Sequence, residues 1–412
     1  MIGHLQADLE RLLSFQERYD LLYRKWVRRV GRNYCDLAYA NAYDGPDTAV
    51  VQAIRDTLDD PSTLNLQYSP YGGSTITRRL IAERLSRLHK LSFQWQDVVL
   101  TPGAMAALNI VFRGLKTGES DEVIVLTPCW MDYPLYLVNL GLKPVLVPLK
   151  RGTFTLDLSS IRKALSPNTR AIVFSQPANP TGVIYSQSEL TELADTLNNV
   201  RGSKSPIIIS DECHREVVYP PNVMTSPTQC YDATIVVYSF GKSLLMQGQR
   251  IGYLAISPRF PDRERARLSA ERNCRMMGFC MPTALMQVAI RQLLDHEPSI
   301  DRLSARRERV LAALTFYGYS VLPSHATFFI YVACPEPDDF SFAERLASRG
   351  VFVLPGSVFH DPGYFRISLT ASDHMIDSAL PVFESAMHEI KRSSFAEVGA
   401  SEAWRPTTTP CN

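Results

Sequence analysis

The stretch Thr234-Ile-Val-Val-Tyr238-Ser-Phe-Gly-Lys242-Ser-Leu-Leu-Met-Gln-Gly-Gln-Arg250-Ile-Gly-Tyr-Leu-Ala-Ile256 holds two apolar runs joined by a glycine-punctuated turn. Thr234–Tyr238 and Gly252–Ile256 are short and rich in β-branched and aromatic residues, so each reads as a buried strand. Outward from them the same kind of run recurs at Asp97–Leu100, Glu122–Leu126, Pro144–Pro148, Ala171–Phe174 and Pro206–Ser210, with helical stretches between. Continuous apolar strands alternating with helices predict an α/β fold, a mostly parallel sheet covered on both faces.

Beyond Pro282 the pattern changes. A long helical stretch over about 283–317 is followed by strand-like Thr327–Val332, Val351–Leu354 and Tyr364–Leu369, with helical stretches near 339–349 and 373–392. That combination predicts a smaller α+β domain. Upstream, residues 14–30 read as an amphipathic helix, with Phe15, Tyr19, Leu22, Trp26 and Val30 at helical intervals and Ser14 and Glu17 at capping-box spacing. At 412 residues the chain exceeds one ordinary core. The expected division is a large domain over 48–285 and a small domain over 286–392, with segment 1–47 belonging to the small one. A flexible tail rich in Thr, Pro, Ser and Ala is expected over 393–412.

Composition narrows the function classes. The chain is 45% hydrophobic and 21% charged with a net charge of +1, which suits a soluble globular protein and offers no bias toward nucleic acid or an anionic membrane. Its start lacks a basic region followed by an apolar one, and no apolar run is long enough to span a bilayer. The eight cysteines form no CxxC pair and read as small buried hydrophobes in a reducing compartment, so a cytoplasmic location is expected. No His/Asp set at ligand spacing points to a metal.

Several strand ends carry groups with chemical potential. Lys242 is flanked by Ser239 and Arg250, which places an amine beside two phosphate donors and under a charge that depresses its pKa. Asp211 closes the apolar run Ile207-Ile-Ile-Ser, where a carboxylate is costly without a cationic partner. On its own it reads equally well as a helix cap. Thr101-Pro-Gly103-Ala104-Met105 is a small-residue turn opening a helix, whose N–H groups suit a phosphate. Asn179-Pro-Thr-Gly182 follows another strand and, by itself, is a turn. An amine, a strand-end carboxylate, phosphate donors and a flat aromatic partner are what a phosphate-bearing aldehyde cofactor requires.

Taken in order, these residues resemble the class I/II aminotransferases, the fold type I family that uses pyridoxal 5′-phosphate (PLP). The landmarks are Tyr68-x-Pro-x-Gly72, Gly103-Ala104, Pro128-x-Trp130-x-x-Tyr133-Pro134, Asn179-Pro-Thr-Gly, Asp211-Glu, Ser239-x-x-Lys242, Arg250-x-Gly-Tyr, Pro355-Gly356-Ser357 and Arg366-Ile-Ser, from about residue 36 to 370. The resemblance implies a large, mostly parallel-sheet domain and a smaller α+β domain. It makes Lys242 the Schiff-base lysine and the base for the α-proton, and Asp211 the partner of the pyridine nitrogen. Asn179 would donate to the phenolic oxygen and Trp130 would stack on the ring. Gly103, Ala104, Met105, Ser239 and Arg250 would hold the phosphate, with Tyr68 reaching across from a second subunit of a homodimer. Arg366 would grip the carboxylate of an amino acid or 2-oxo acid through its planar fork.

Two departures stand out. Where the family carries a tyrosine three residues after the aspartate, this chain has His214, a shorter and titratable donor to the phenolic oxygen. Leu37-Ala-Tyr-Ala-Asn41-Ala-Tyr43 stands where the family has a glycine lining the substrate carboxylate, which makes Asn41 and Tyr43 candidate substrate contacts; Tyr39 and Tyr133 are further candidates for the pocket wall. Transamination between an L-amino acid and a 2-oxo acid is the expected activity. The alternative is a PLP-dependent lyase or cyclase, motivated by the same two departures. A PLP-sensing regulator is disfavoured, because fewer than about fifty residues precede the landmarks and none suggest a DNA-binding helix pair.

Overall fold

A computed structural model describes residues 7–62, 66–199, 205–278, 281–297 and 299–402, with side chains up to 392. Its largest sheet has seven strands, in spatial order Val98–Thr101, Gly252–Ile256, Thr234–Ser239, Ile207–Asp211, Thr169–Ser175, Glu122–Thr127 and Lys143–Pro148. The last five are parallel. Gly252–Ile256 runs antiparallel to both neighbours, so Val98–Thr101 points the same way as the other five. The reversal has a local cause. Loop 240–251 contains a single helical turn, Phe240–Ser243, rather than a helix long enough to recross the sheet.

Except for the edge strand Lys143–Pro148, most of which is at least partly exposed, the strands are apolar on both faces because helices cover both. Val123, Val125, Ile235 and Val237 pack with helices Ala104–Leu115 and Arg263–Met277. One residue out of phase, Val98, Leu100, Val236 and Tyr238 pack with helix Thr75–His89 on the opposite face. Ile124, Ile172 and Ile208 join a third cluster that continues through Tyr19, Tyr331 and Phe352, so one core connects the large sheet to the remainder of the molecule.

The smaller layer is an antiparallel sheet of Leu354–Pro355, Tyr364–Ser368 and Phe329–Ala333, with helices Asp301–Tyr317, Asp339–Ala347 and Asp373–Glu402. The N-terminal segment is tied to it twice. Cys35–Asp36 pairs in parallel with Val351–Phe352. Buried Arg306 also bridges Asp44 at 2.7 Å and Asp373 at 2.9 Å.

Three sequence expectations change. The N-terminal helix spans Ala7–Val30, so Ser14 lies inside it and donates its hydroxyl to the Arg11 carbonyl at 2.7 Å instead of capping. The stretch 283–317 is not one helix but Ala284–Ala289, a tight turn Ile290–Leu293, and Asp301–Tyr317. The sequence carries Pro298 between them, which disfavours helix at the residue before it. The final helix includes the first part of the expected tail, while residues 403–412 lie outside the described residues. Cys35, Cys129, Cys213, Cys230, Cys274 and Cys334 are unpaired. Among the described residues, no helix is long and apolar enough to cross a membrane, and no group of three or more metal-ligating side chains occurs.

Candidate active site

Strand register builds the site. Ser175 pairs with Asp211, Asp211 with Val237, and Ser239 with Gly252 across the antiparallel return. Three strand ends therefore lie abreast, and the loop 240–251 stays at that edge with Lys242 near its start and Arg250 near its end. Both residues line a cavity of about 370 Å³, together with Asn41, Ala104, Met105, Trp130, Asn179, Asp211, His214, Ser239 and Arg366. A wider surface groove of about 590 Å³, between helices Leu158–Ala164 and Gln187–Asn198, holds none of these residues.

Lys242 sits on a turn that is braced from beneath. The Tyr238 hydroxyl donates to Glu216 at 2.8 Å and lies 2.9 Å from the Ser243 hydroxyl. Arg215, itself buried, stacks 4.2 Å over the Tyr238 ring and pairs with Glu212 and Glu216. Burial above all holds the Lys242 ammonium below its ordinary pKa; Arg366 and Arg250 push the same way, against an opposing pull from Cys213 and Asp211. Asp211 is fixed at both oxygens, accepting from the Tyr133 hydroxyl at 2.6 Å and from the Cys213 N–H at 3.2 Å. Tyr133 was a candidate for the pocket wall. It is instead fully buried behind the carboxylate, a role that its position in the sequence motif did not reveal.

Next to Lys242 is an anion cradle. Gly103 caps helix Ala104–Leu115 with φ +86° and no side-chain cap, leaving the helix start open. A Cβ at Gly103 would overlap the Arg250 guanidinium and lie 3.5 Å from the Ser239 hydroxyl. Only a glycine lets these three donors converge. Arg250 donates to the Gln247 carbonyl at 2.8 Å.

Arg366, which lines the same cavity, is 2% exposed. Its guanidinium donates to Asn179 Oδ1 at 3.1 Å and to the Ala38 carbonyl at 2.9 Å, and lies 3.8 Å over the Phe329 ring. No carboxylate among the described residues pairs with it, and its Nε has no partner. Burial pushes its pKa down to about 9. His214 lies edge-on to Phe328 and Phe329, at 4.9 and 5.5 Å between centroids, with Nε2 buried and unpartnered. Burial, and then the charges of Lys242 and Arg366, hold the imidazole well below its ordinary pKa. The shift favours the neutral imidazole, whose buried Nε2 faces the cavity wall without a partner.

Two expected residues are elsewhere. Tyr43 does not line the cavity, because its hydroxyl is committed to Asp36 Oδ2 at 3.1 Å. Tyr68 is fully exposed on its own chain. Gln16, Met131 and Gln247 line the cavity without having been singled out from sequence, and Tyr39 does so as expected.

Lys242, Arg250 and Arg366 thus face one acidic lining residue, Asp211. Such a wall calls for anions. The profile of the family described as "Aminotransferase class I and II" matches residues 33–383. The chain belongs to that family. Among curated relatives, a probable aspartate/prephenate aminotransferase of Aquifex aeolicus is 29% identical over 372 residues, covering 84% of this chain and 89% of the relative. The aspartate aminotransferase of Bacillus subtilis is 28% identical over 347 residues, 79% of this chain and 83% of the relative. Among solved structures, an amino transferase from Eubacterium rectale superposes with a TM-score of 0.85 at 27% identity, covering 95% of this chain and 99% of that one. A double mutant of Thermus thermophilus aspartate aminotransferase gives 0.81 at 26% identity, covering 93% and 97%. The protein is an enzyme, a fold type I aminotransferase.

Membership of this family implies PLP, and the residues of this aminotransferase fit it on three counts. The cradle at Gly103 would be filled by any larger side chain. The buried Nε2 of His214 is an orphan at the cavity wall. The donor set matches a phosphate and a ring nitrogen.

Proposed function

We propose that Lys242 of this aminotransferase binds PLP covalently, and that Arg366 takes the carboxylate of an L-amino acid or 2-oxo acid. Asp211 would face the pyridine nitrogen, with Trp130 against the ring and Asn179 and His214 toward the phenolic oxygen. Gly103, Ala104, Met105, Ser239 and Arg250 would hold the phosphate. The observation that carries this reading is the placement of two arginines at separate parts of the cavity that Lys242 and Asp211 line, Arg250 at the Gly103 cradle and Arg366 against Asn179 and Ala38. A phosphate at one place and a substrate carboxylate at the other would neutralise them.

When bound, the cofactor supplies an electron-withdrawing ring that makes the substrate α-carbon acidic. The chain's own groups do the rest. Lys242 Nζ, whose pKa is lowered by burial first and then by the two arginines, would accept the α-proton and return it once the substrate's amino group has displaced it from the cofactor. Asp211, oriented by Tyr133 and Cys213, keeps a proton on the ring nitrogen. The Arg366 fork, steadied by Asn179 and Ala38, orients the substrate. A 2-oxo acid then uses the same groups in reverse. The proposal includes a homodimer in which each copy lends Tyr68 to the other's phosphate site.

The test is covalent. Protein loaded with PLP is reduced with borohydride and digested, and the labelled peptide is mapped. Label on Lys242 is expected; label elsewhere overturns the proposal.

A further inference from the structure

Loop 240–251 leaves and re-enters the sheet beside Tyr238 and Tyr253, which pair across the antiparallel return. Arg215 joins both. Its guanidinium stacks 4.2 Å over the Tyr238 ring, lies 5.9 Å from the centre of the Tyr253 ring and donates to the Tyr253 hydroxyl. Its Nε donates to Glu216 at 3.1 Å, and a second nitrogen reaches Glu212 at 3.4 Å. Arg84, from helix Thr75–His89, donates to the same Glu216 oxygen at 3.2 Å. Two arginines thus face two glutamates, so the cluster calls for no ligand.

A chain of hydrogen bonds leads from this cluster to the lysine. Tyr238 has one hydroxyl proton and donates it to the other Glu216 oxygen at 2.8 Å, so its oxygen accepts from Ser243 at 2.9 Å. Two cavity-lining residues are therefore each followed in sequence by a member of the cluster: His214 by Arg215, and Lys242 by Ser243. Glu212, Tyr238, Ser243 and Tyr253 are buried, and all of these contacts are made within one chain. Lys242 itself rides on the single turn Phe240–Ser243, too short to hold its own geometry. The position of a reacting group matters steeply, since a displacement of about 1 Å costs on the order of 100-fold in rate.

We infer that Arg215 and Tyr238 are positioning residues for Lys242. They staple both roots of its loop to the segment that carries Asp211 and His214, and so set where the amine stands relative to those two groups. The inference rests on the proposed function, in which that amine captures PLP and moves the α-proton.

Removing Arg215 would leave buried Glu212 without its cation and threaten the fold, so the test cuts the hydrogen-bond chain instead. Tyr238→Phe removes the hydroxyl and keeps the ring against Arg215; Ser243→Ala removes the next link. Cofactor-free protein is mixed with PLP, portions are reduced with borohydride over time, and the label on Lys242 is counted. Each variant is expected to reach the wild-type amount of label about tenfold more slowly. The double variant is expected to be no slower than the slower single one, because both cut one path. With the most rapidly consumed of the common L-amino acids, kcat and kcat/KM are expected to fall together by about tenfold, leaving KM unmoved. Tyr231→Phe is the control. It removes a buried hydroxyl bond, 2.6 Å to the Pro206 carbonyl, at the far end of strand Ile207–Asp211, and should lower Tm without slowing labelling. Wild-type labelling rates in both single variants overturn the inference. So do losses that multiply in the double variant, or a Tyr231→Phe control that slows as much. No label on Lys242 in the wild-type protein brings down the proposed function instead.

Discussion

Arg366 and His89 are both buried ionisable groups without a counter-ion among the described residues, yet they imply different things. Arg366 lines a cavity, where under the proposed function its charge meets the substrate carboxylate. Arg366→Lys keeps the charge and loses the fork, so it is expected to raise KM and lower kcat/KM by about 100-fold, on the order of 3 kcal/mol. Labelling of Lys242 by borohydride should be unchanged, because the substitution lies on the substrate side. His89 is 6% exposed, its ring 5.9 Å from Phe93, and its Nε2 has no partner. Burial, with Arg215 and Arg84 nearby, pushes its pKa down to about 3. The unfolded chain therefore takes up a proton near pH 6.5 that the folded chain refuses. Stability is full above that pH and is lost as pH falls toward 3, by about 2 kcal/mol at pH 5. His89→Leu should reduce the shift of the urea midpoint between pH 7.5 and pH 5; an unchanged shift would remove His89 as its source. Arg366 was legible because it stands in a motif. His89 was not, since its helix position looks like any other, and neither was Tyr133 behind Asp211, because burial against a carboxylate is a property of the packed fold.

At the scale of elements, the strands of the large sheet were legible because burial on both faces demands uninterrupted apolar runs, which a half-exposed strand or a surface helix does not tolerate. The direction of Gly252–Ile256 was not, since an antiparallel strand buried on both faces has the same composition as a parallel one. That reversal is what returns Arg250 to the edge occupied by Ser239, and Gly252 is its pivot. A Cβ at Gly252 would overlap the Tyr238 carbonyl and come within 2.9 Å of Gly103 Cα. The strand, its neighbour and the start of helix Ala104–Leu115 therefore meet at a point where no side chain fits. Gly252→Ala is expected to cost about 3 kcal/mol in denaturant unfolding. It should also weaken PLP binding more than amino-acid binding, because it wedges Gly103 away from Ser239. A variant with wild-type cofactor affinity would show that the cradle does not depend on this contact. The N-terminal helix illustrates the opposite failure. Ser14 and Glu17 imitate a capping box, but Asp8 and Glu10 already place acidic groups in the first turn of a helix that begins earlier.

For the molecule as a whole, sequence spacing carried the motifs but not the way distant segments share one cavity. Gln16 and Arg366 line the same space from opposite ends of the chain, brought together by the pairing of Cys35–Asp36 with Val351–Phe352 and by the Arg306 bridge between Asp44 and Asp373. Tyr68 extends this reasoning beyond one chain. Its side chain is fully exposed, and Tyr71 and Ile76 nearby are more than half exposed, an apolar display that a second copy would cover. If each copy lends Tyr68 to the other's phosphate site, then Lys242→Ala and Tyr68→Ala impair different sites of a mixed dimer. The copy carrying Tyr68→Ala keeps its own Lys242 and receives an intact Tyr68 from its partner, so one site is restored. Its partner's site carries both lesions. Equal co-expression should therefore return about a quarter of wild-type sites, counted by borohydride labelling at limiting PLP, where either parent alone gives little. A mixture that yields only the mean of its parents would mean that Tyr68 serves its own chain or none, and the shared site would have to be abandoned even if the protein is a dimer.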